Sequence, residues 1–286
     1  MPFPFPRLWV VAVTLGNPGD FTPRARQVLQ EADLILAEDT RRAGLFFQRH
    51  DVAQRGTLRS FFEHNENERI PAVLNALEQG RNVALISDAG TPLIGDPGYR
   101  LVRACRNEGY VVTPVPGPCA PVAALSASGL PPSPFSFLGF LPRQTGEQKR
   151  LFLTWAEMTT TLVFFERNSR LPATLGVALD CLGPREICVA RELTKEHEEF
   201  ILGRLETHQD MRWDPRGEVT VIIGPPEFSV KTLEEDMDRM LLEEMHSGTP
   251  RDVASRIAAR TRGWTSKEVY ARLISISKAN PGSRGT

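Results

Sequence analysis

The sequence Ser87-Asp-Ala-Gly-Thr-Pro-Leu-Ile-Gly-Asp-Pro-Gly98 is the stretch from which the fold can be worked out. An apolar run at residues 83–87 leads into it, and a helical pattern at 99–108 follows it. Its three glycines and two prolines therefore lie at the carboxyl end of a predicted strand. Ligands of open α/β sheets bind at such ends, and glycine lets the backbone approach a ligand closely. A simple turn with aspartate caps is the competing interpretation.

Two further loops have a similar composition. Leu15-Gly-Asn-Pro-Gly-Asp20 follows a predicted strand at residues 8–14, and Pro116-Gly-Pro-Cys-Ala-Pro121 follows one at 111–115. The carboxyl ends of parallel strands meet at one sheet edge, so the three loops together predict a pocket lined by main chain. No Lys-Ser/Thr pair follows the glycines and no G-x-G-x-x-G follows a strand. Nucleoside triphosphates and dinucleotides are therefore disfavoured as ligands.

Residues 8–129 are predicted to form an α/β domain. Short apolar runs at 8–14, 34–37, 83–87 and 111–115 are typical of strands, and amphipathic stretches separate them. Thr22-Pro23 marks a helix start, with an N-cap followed by proline at the first helical position. Alternation of strand and helix implies a parallel sheet, because parallel neighbours need crossover helices.

A second domain is predicted for residues 130–226, after the proline-rich segment Leu130-Pro-Pro-Ser-Pro134. Its extended runs, at 135–141, 161–166, 186–193, 200–205 and 218–223, outnumber two predicted helices around 146–157 and 171–182. Since strand follows strand, some pairing should be antiparallel and the sheet mixed. The expected fold class is thus α/β, with a parallel-sheet domain, a mixed-sheet domain and a small helical unit.

The helical unit is predicted for residues 230–280. Residues 231–246 hold six acidic side chains against two basic ones, whereas 247–286 hold eight basic side chains against two acidic ones. Thr249-Pro-Arg-Asp252 and Thr265-Ser-Lys-Glu268 resemble capping boxes that start the two helices of a helix-turn-helix-like hairpin. The basic surface is either a nucleic-acid contact or an ordinary solvated face.

Overall composition narrows the classes of protein further. The 286 residues carry a net charge of −1, so nucleic acid or an acidic membrane would have to be bound through local patches. The four cysteines form no C-x-x-C pair and have no histidine at metal spacing, which favours a reducing compartment and no metal. The first residues lack the basic region of a signal peptide. We therefore expect a cytoplasmic protein that binds neither membrane nor metal.

Seven motifs resemble, in order along the chain, those of the rRNA small subunit methyltransferase I family in the tetrapyrrole-methylase-like superfamily. They are Leu15 to Asp20, Ala37-Glu-Asp-Thr-Arg41, Ser87 to Gly98, Pro116 to Ala120, Gly139-Phe-Leu-Pro142, Phe164-Phe-Glu-Arg167 and Ala190-Arg-Glu-Leu-Thr-Lys195. The resemblance, over residues 8 to about 224, implies a two-domain tetrapyrrole-methylase-like fold and S-adenosylmethionine as methyl donor. It also implies a homodimer that methylates the ribose 2′-oxygen of a cytidine in 16S rRNA, at the decoding centre of the small ribosomal subunit.

The same resemblance, carried over residue by residue, implies where the donor binds. The cofactor-binding residues would be Leu15, Asp88, Gly90, Thr91, Ile94, Cys119, Ala120, Phe165, Glu192 and Glu218.

A sugar hydroxyl is a poor nucleophile until a base or a cation eases the loss of its proton, so a carboxylate and a lysine are expected near the cleft. Lys195 and Asp39 are the predicted catalytic pair. Asp39 could instead cap a helix, and Lys195 could be a solvated surface amine. The predicted RNA-binding residues are Arg41, Arg42 and Arg143, because guanidinium groups suit phosphate oxygens, with ordinary surface pairing as the alternative.

Two other functions remain open from the sequence. A methyltransferase of the same fold could act on a tetrapyrrole or a protein, and a non-catalytic RNA-binding assembly factor could retain only the fold. The motif at residues 37–41, the one at 190–195 and the basic carboxyl-terminal hairpin favour RNA. Binding of labelled S-adenosylmethionine would separate both enzymes from the assembly factor.

Overall fold

The computed structural model describes residues 6–226, 232–245, 247–261 and 263–279. Contacts divide the chain into two compact units, Met1–Pro225 and Pro226–Thr286. The predicted boundary at residue 130 falls inside the first unit and stays a prediction. Within the described ranges, no helix combines the length and the apolar character needed to cross a bilayer.

The first unit contains a five-stranded parallel sheet, here called sheet A. Its strands are β1 (Arg7–Val11), β2 (Leu34–Ala37), β3 (Thr57–Ser60), β4 (Val83–Ile86) and β5 (Val111–Val115), in the order β3-β2-β4-β1-β5. Every residue of β2 and β4 is buried, as central parallel strands covered on both faces should be. The four predicted strands are confirmed, and β3 is an additional edge strand.

Helices cover both faces of sheet A. Helices α1 (Pro23–Glu31) and α2 (Thr40–Arg49) pack on one face, and α3 (Glu66–Glu78) and α4 (Tyr99–Asn107) pack on the other. The neighbouring strands β1 and β4 therefore feed helices on opposite faces. Such a switch in topology opens a crevice beyond the carboxyl ends of the strands.

A second five-stranded sheet, sheet B, is mixed, as predicted. It consists of β6 (Phe135–Phe140), β7 (Thr161–Arg167), β8 (Glu186–Arg191), β9 (Glu199–Arg204) and β10 (Glu218–Ile223), in the order β6-β7-β10-β8-β9. Only β6 and β7 pair in parallel; the other pairs are antiparallel. Helices α6 (Thr145–Trp155) and α7 (Leu171–Leu182) cover one face. Helix α5 (Ala120–Ala127) follows β5 of sheet A but packs on the other face of sheet B.

The second unit consists of α8 (Glu234–Glu244), α9 (Pro250–Arg260) and α10 (Ser266–Ala279). Their apolar residues form one core that includes Met237, Ile257 and Leu273. Both predicted helix starts are confirmed. The Thr249 hydroxyl accepts a hydrogen bond from the Asp252 amide at 3.3 Å, and the Glu268 carboxylate accepts one from the Thr265 amide at 2.7 Å.

Charges of opposite sign meet inside this helical unit. Arg256 and Arg260 both pair with Glu244, and Arg272 pairs with Asp238 and Glu234 on α8. The acidic stretch therefore neutralises part of the basic one, which favours the interpretation of these arginines as structural. Lys231, Arg262 and Arg284, which contribute to the charge counts, lie outside the described residues.

Candidate active site

A cavity of about 630 Å³ opens where the carboxyl edge of sheet A faces sheet B. Sheet A contributes the loops after β1, β2, β4 and β5, and sheet B contributes the ends of β6, β7 and β10. The predicted cofactor-binding residues that line it are Leu15, Asp88, Gly90, Thr91, Ile94, Ala120, Phe165 and Glu218. Cys119 and Glu192 are not among the lining residues: Cys119 immediately precedes α5, and Glu192 pairs with a lysine described below.

Direct hydrogen bonds join the three glycine and proline loops. The Val13 amide donates to the Gly90 carbonyl at 2.8 Å, and the Thr91 hydroxyl donates to the Pro118 carbonyl at 2.8 Å. Gly90 has φ +72°, and a Cβ there would lie 3.0 Å from Leu15 Cδ2. A side chain would therefore face both backbone strain and a close contact. The three loops form one connected wall, as the sequence predicted.

Three carboxylates, those of Glu38, Asp88 and Asp96, line one side of the cavity. Arg42 pairs with Asp88, Nη1 to Oδ2 at 2.7 Å. Burial, followed by the charge of Glu38, raises the pKa of Asp96 from 3.8 to about 7. Burial is also the main cause that raises the pKa of Glu38, with the charge of Asp88 next. The negative charge of these three carboxylates thus exceeds the positive charge of Arg42, which pairs with one of them.

Sequence reasoning missed Glu38 and Asp96 as site residues. Both stand in motifs that the sequence singled out, next to Asp39 and at the end of the loop after β4. Their position after neighbouring strands β2 and β4 was the available signal.

Lys195 also lines the cavity, between two carboxylates. Its Nζ lies 2.9 Å from Glu192 Oε1 and 3.0 Å from Glu218 Oε2. Burial opposes the ammonium charge, but the hydrogen bonds that the ammonium donates to these carboxylates, together with their negative charges, outweigh it and raise the pKa of Lys195. Lys195 is therefore a fixed cation rather than a base at neutral pH. It is held in the wall, not freely solvated.

The loop that carries Lys195 is strained. Glu192 has φ +49° and Thr194 has φ +64°, values that residues other than glycine seldom adopt. The Asn17 amide donates to the Thr194 hydroxyl at 3.1 Å, which ties this loop to the loop after β1. Gly16 lies directly against it, because a Cβ at Gly16 would be 2.3 Å from Lys195 Cγ.

Asp39 lies outside the cavity wall, at the start of α2. Its carboxylate accepts hydrogen bonds from the Arg41 and Arg42 amides at 2.8 and 3.4 Å, and it pairs with the Arg41 guanidinium. The hydrogen bond from the Arg41 side chain is the main cause that lowers the pKa of Asp39 to about 2. The structure thus gives Asp39 the capping role, and a catalytic role for it stays a prediction.

The cations around the cavity differ in how far they are neutralised. Arg41 and Arg42 each pair with an aspartate, and Arg170 pairs with buried Glu166 at 3.3 Å. Arg143 and Arg167 also line the cavity, and neither guanidinium has an ion pair with any residue that the structure describes. Arg167, which sequence reasoning missed, is therefore available to an anionic ligand together with Arg143.

The lining fits S-adenosylmethionine. The excess carboxylates suit a positively charged sulfonium, while Leu15, Ile94 and Phe165 offer apolar surface to a nucleoside. The volume lies within the range usual for small-molecule sites, about 300–1,000 Å³. In the described part of the chain, His, Cys, Asp and Glu form no cluster that could hold a metal ion.

The fold and this cleft define a class of protein, the tetrapyrrole methylases. The family model described as Tetrapyrrole (Corrin/Porphyrin) Methylases matches residues 7–209. The crystal structure of uroporphyrin-III C-methyl transferase from Thermus thermophilus, complexed with S-adenyl homocysteine, has a TM-score of 0.52 and 20% identity. The match covers 76% of this chain and 97% of that one. The predicted fold class is confirmed.

Curated relatives place the chain more narrowly. A protein of Mesorhizobium japonicum is 40% identical over 275 residues, 95% of this chain and 92% of the relative. A protein of Thermotoga maritima is 42% identical over 224 residues, 77% of this chain and 99% of the relative. Both are named Ribosomal RNA small subunit methyltransferase I. The chain belongs to the rRNA small subunit methyltransferase I family.

Proposed function

We propose that this protein uses S-adenosylmethionine to methylate the ribose 2′-oxygen of a cytidine in 16S rRNA, at the decoding centre of the small ribosomal subunit. Family membership confirms S-adenosylmethionine as the cofactor and supports a methyltransferase that acts on rRNA. The observation that supports the finer proposal is the cavity itself, which is lined by a cluster of carboxylates and by two arginines, Arg143 and Arg167, that form no ion pair with any described residue.

The carboxylate-rich side suits the methyl donor. When bound, S-adenosylmethionine supplies a methyl group on a positively charged sulfur. Asp88, Gly90, Thr91 and Ile94 would hold it on the loop after β4, with Leu15, Cys119, Ala120, Phe165, Glu192 and Glu218 completing the site as predicted. The hydrogen bonds between the loops fix this wall before the ligand arrives, and such orientation lowers barriers by about 7–11 kcal/mol in well-aligned reactions.

The arginines suit the phosphates of an RNA strand. Arg143 and Arg167 have guanidinium groups to offer without breaking an ion pair, whereas Arg41 and Arg42 would first have to leave Asp39 and Asp88. We therefore propose Arg143 and Arg167 as the principal phosphate contacts at the cavity. Arg41 and Arg42 would play a smaller part.

Lys195 has the charge needed to stabilise an oxygen that is losing its proton. Its ammonium is fixed by Glu192 and Glu218 rather than free to rotate, so its position is set before the substrate binds. We assign it this electrostatic role. Two further parts of the proposal rest on the family resemblance alone: the protein is a homodimer, and it works in the cytoplasm.

The experiment compares ribose methylation of small-subunit RNA from cells with and without this gene, by primer extension at limiting nucleotide. A stop at one cytidine that disappears without the gene is the expected result, and an unchanged pattern would refute the proposal. Binding of labelled S-adenosylmethionine in the second case would point to another acceptor, such as a tetrapyrrole or a protein. No binding would point to an assembly factor.

A further inference from the structure

Phe140, at the end of β6, lines the cavity and yet is 61% exposed. Its ring packs against the half-buried ring of Phe165, with the two centroids 5.1 Å apart, and Phe137 packs against Phe165 at 5.0 Å. A single exposed apolar residue indicates little on an ordinary surface. An exposed aromatic ring in the lining of a cavity, however, offers apolar area to a ligand.

An irregularity of β6 gives Phe140 this position. Three steps along β6, from Phe137 to Phe140, correspond to two steps along β7, from Val163 to Phe165. Side chains alternate between the two faces of a strand, and Leu138 packs in the core with α6 and α7, so regular alternation would direct Phe140 into that core as well. The extra residue places its ring instead with those of Phe137 and Phe165. Bulges of this kind re-aim side chains and are frequent beside active sites.

Gly139 supplies the backbone conformation that the irregularity needs. Its φ is +68°, in the left-handed region that glycine adopts readily. A Cβ at Gly139 would meet no atom of the described residues within 4 Å, so the glycine is needed for its backbone and not for space. At this point β6 loses regular pairing and leaves an aromatic side chain in water. A purely structural role for Phe140 explains neither of these.

The neighbours of Phe140 indicate the kind of ligand. A Cβ at Gly95, on the loop after β4, would lie 3.7 Å from Phe140 Cε2, so the ring is close to the loop of the predicted donor site. Arg143, three residues further along, also lines the cavity, and its guanidinium has no ion pair with any residue that the structure describes. Proteins that hold single-stranded nucleic acid combine aromatic rings, on which bases stack, with cations for the phosphates. Phe140 and Arg143 together have that composition.

We propose that the ring of Phe140 stacks against the base of the acceptor nucleotide and so presents the ribose of that nucleotide to the methyl donor. This role rests on the proposed function. A nucleotide that enters a cavity has to leave the stack of its neighbours, and its base then gains from a new apolar surface. Phe140 offers that surface at the cavity, while Arg143 contacts a phosphate of the same strand. Phe140 binds the substrate and takes no part in proton transfer.

The test measures initial rates of methylation of small subunits isolated from cells that lack the gene, with saturating S-adenosylmethionine. Phe140→Ala should lower kcat/KM for the subunits by about 5- to 150-fold, the equivalent of one lost stack between a base and an aromatic ring. The loss should come chiefly from a higher KM, because the stack is present before and during the transfer. Phe135→Ala is the matched control, since Phe135 begins the same strand, is also exposed and is not among the lining residues.

Further variants and readouts separate stacking from a structural effect. Phe140→Tyr keeps an aromatic ring and should stay within about threefold of the wild type, whereas Phe140→Leu, which is apolar but has no aromatic face, should resemble Phe140→Ala. The affinity of Phe140→Ala for S-adenosylhomocysteine, measured by calorimetry, should also stay within about threefold of the wild type. Its melting temperature should change no more than that of Phe135→Ala, because both side chains are exposed.

The outcomes separate the two proposals. Wild-type protein that transfers no methyl group to these subunits would refute the proposed function, and the role of Phe140 with it. Wild-type protein that does so, with Phe140→Ala equally efficient or Phe140→Leu as efficient as Phe140→Tyr, would refute stacking alone. A matching loss of donor affinity would place the donor, not a base, on the ring. A changed oligomeric state of Phe140→Ala in sedimentation would overturn the proposal too, because the ring would then pack against a second copy of the chain.

Discussion

Replacement of Asp96 by asparagine should make the protein more stable, by an amount that grows with pH. Folding raises the pKa of Asp96 from 3.8 to about 7, first through burial and then through the charge of Glu38. The folded protein thus keeps a proton that the unfolded chain has released. The stabilisation from this group is complete below about pH 3.8 and is lost as the pH rises to about 7. Asp96→Asn has no carboxyl group to titrate there.

The size of the effect follows from that shift. Between about pH 5 and about pH 8, roughly two pH units fall where the unfolded chain has released this proton and the folded protein keeps it. Each of these units lowers the free energy of unfolding of the wild type by about 1.4 kcal/mol. The upper bound is therefore about 2.7 kcal/mol, and solvent screening of this partly exposed group reduces it to about 1.5 kcal/mol. For a unit of this size, the melting temperature of Asp96→Asn should gain about 3–6 °C more at the higher pH than at the lower.

Thermal denaturation of wild type, Asp96→Asn and Asp180→Asn, followed by circular dichroism at both pH values, measures the effect without any substrate. Asp180 is 65% exposed and its nearest cation, Lys149, is 3.6 Å away, so its replacement should give no pH-dependent gain. Equal melting temperatures for wild type and Asp96→Asn at about pH 8 would refute the reasoning. If Asp96→Asn gained the same melting temperature at both pH values, the reasoning would be refuted as well, because packing rather than charge would then be the cause.

Three further changes test other parts of the structure. Gly16→Ala should lower the free energy of unfolding by about 1–3 kcal/mol and slow methyl transfer, because its Cβ would displace Lys195; urea denaturation and turnover measure both. Thr91→Lys should weaken S-adenosylmethionine binding at least about tenfold in calorimetry, since it adds a cation beside a sulfonium. Arg185→Met should cost about 2–4 kcal/mol in urea denaturation, because fully buried Arg185 donates to three backbone carbonyls.

Each of these has an outcome that contradicts it. Wild-type turnover in Gly16→Ala would show that the position of Lys195 is unimportant, and undiminished donor affinity in Thr91→Lys would place Thr91 outside the donor site. Arg150→Met is the control for Arg185→Met, because Arg150 is exposed and should tolerate the change. If the two arginine variants are equally stable, the buried hydrogen bonds of Arg185 contribute little.

The sequence predicted best those strands that are short, apolar and bounded by turn residues. Strands β2, β5 and β10 begin and end at the predicted residues. In β2 and β10 the apolar run coincides with burial, whereas in β5 only Val112 and Val115 are buried. Strand β3 could not be found in this way. It lies at the edge of sheet A, its side chains are exposed or half-buried, and Leu58 is its single apolar residue. Pairing with β2, rather than its own pattern, makes it a strand.

Only the part of the candidate site that consists of main-chain loops could be predicted from the sequence. Glycine and proline mark the loops after β1, β4 and β5, and these loops do meet at one edge of sheet A. The carboxylate cluster was not predictable, because its proton affinity depends on burial and on like charges brought together from separate loops. Glu38 and Asp96 look like ordinary acidic residues in the sequence, and the sequence could not tell that Asp39, one residue along, faces away from the cavity.

The charge asymmetry at the carboxyl terminus depends on packing that the sequence alone does not give. An acidic stretch is followed by a basic one, but α8 and the helices after it lie side by side and three of the arginines pair with acidic residues of α8. Net charge along a sequence therefore predicts a surface potential only when the segments stay apart in the fold.

The backbone strain beside Lys195 could not be predicted from the sequence. Glu192 and Thr194 adopt positive φ although neither residue type favours it, at a cost on the order of 1–3 kcal/mol each. Glycine at either position would relieve that strain, but it would remove the Glu192 carboxylate that pairs with Lys195 or the Thr194 hydroxyl that accepts from the Asn17 amide. The loop thus keeps two side chains that fix an ammonium group at the cavity, and the interactions that hold this group offset the strain.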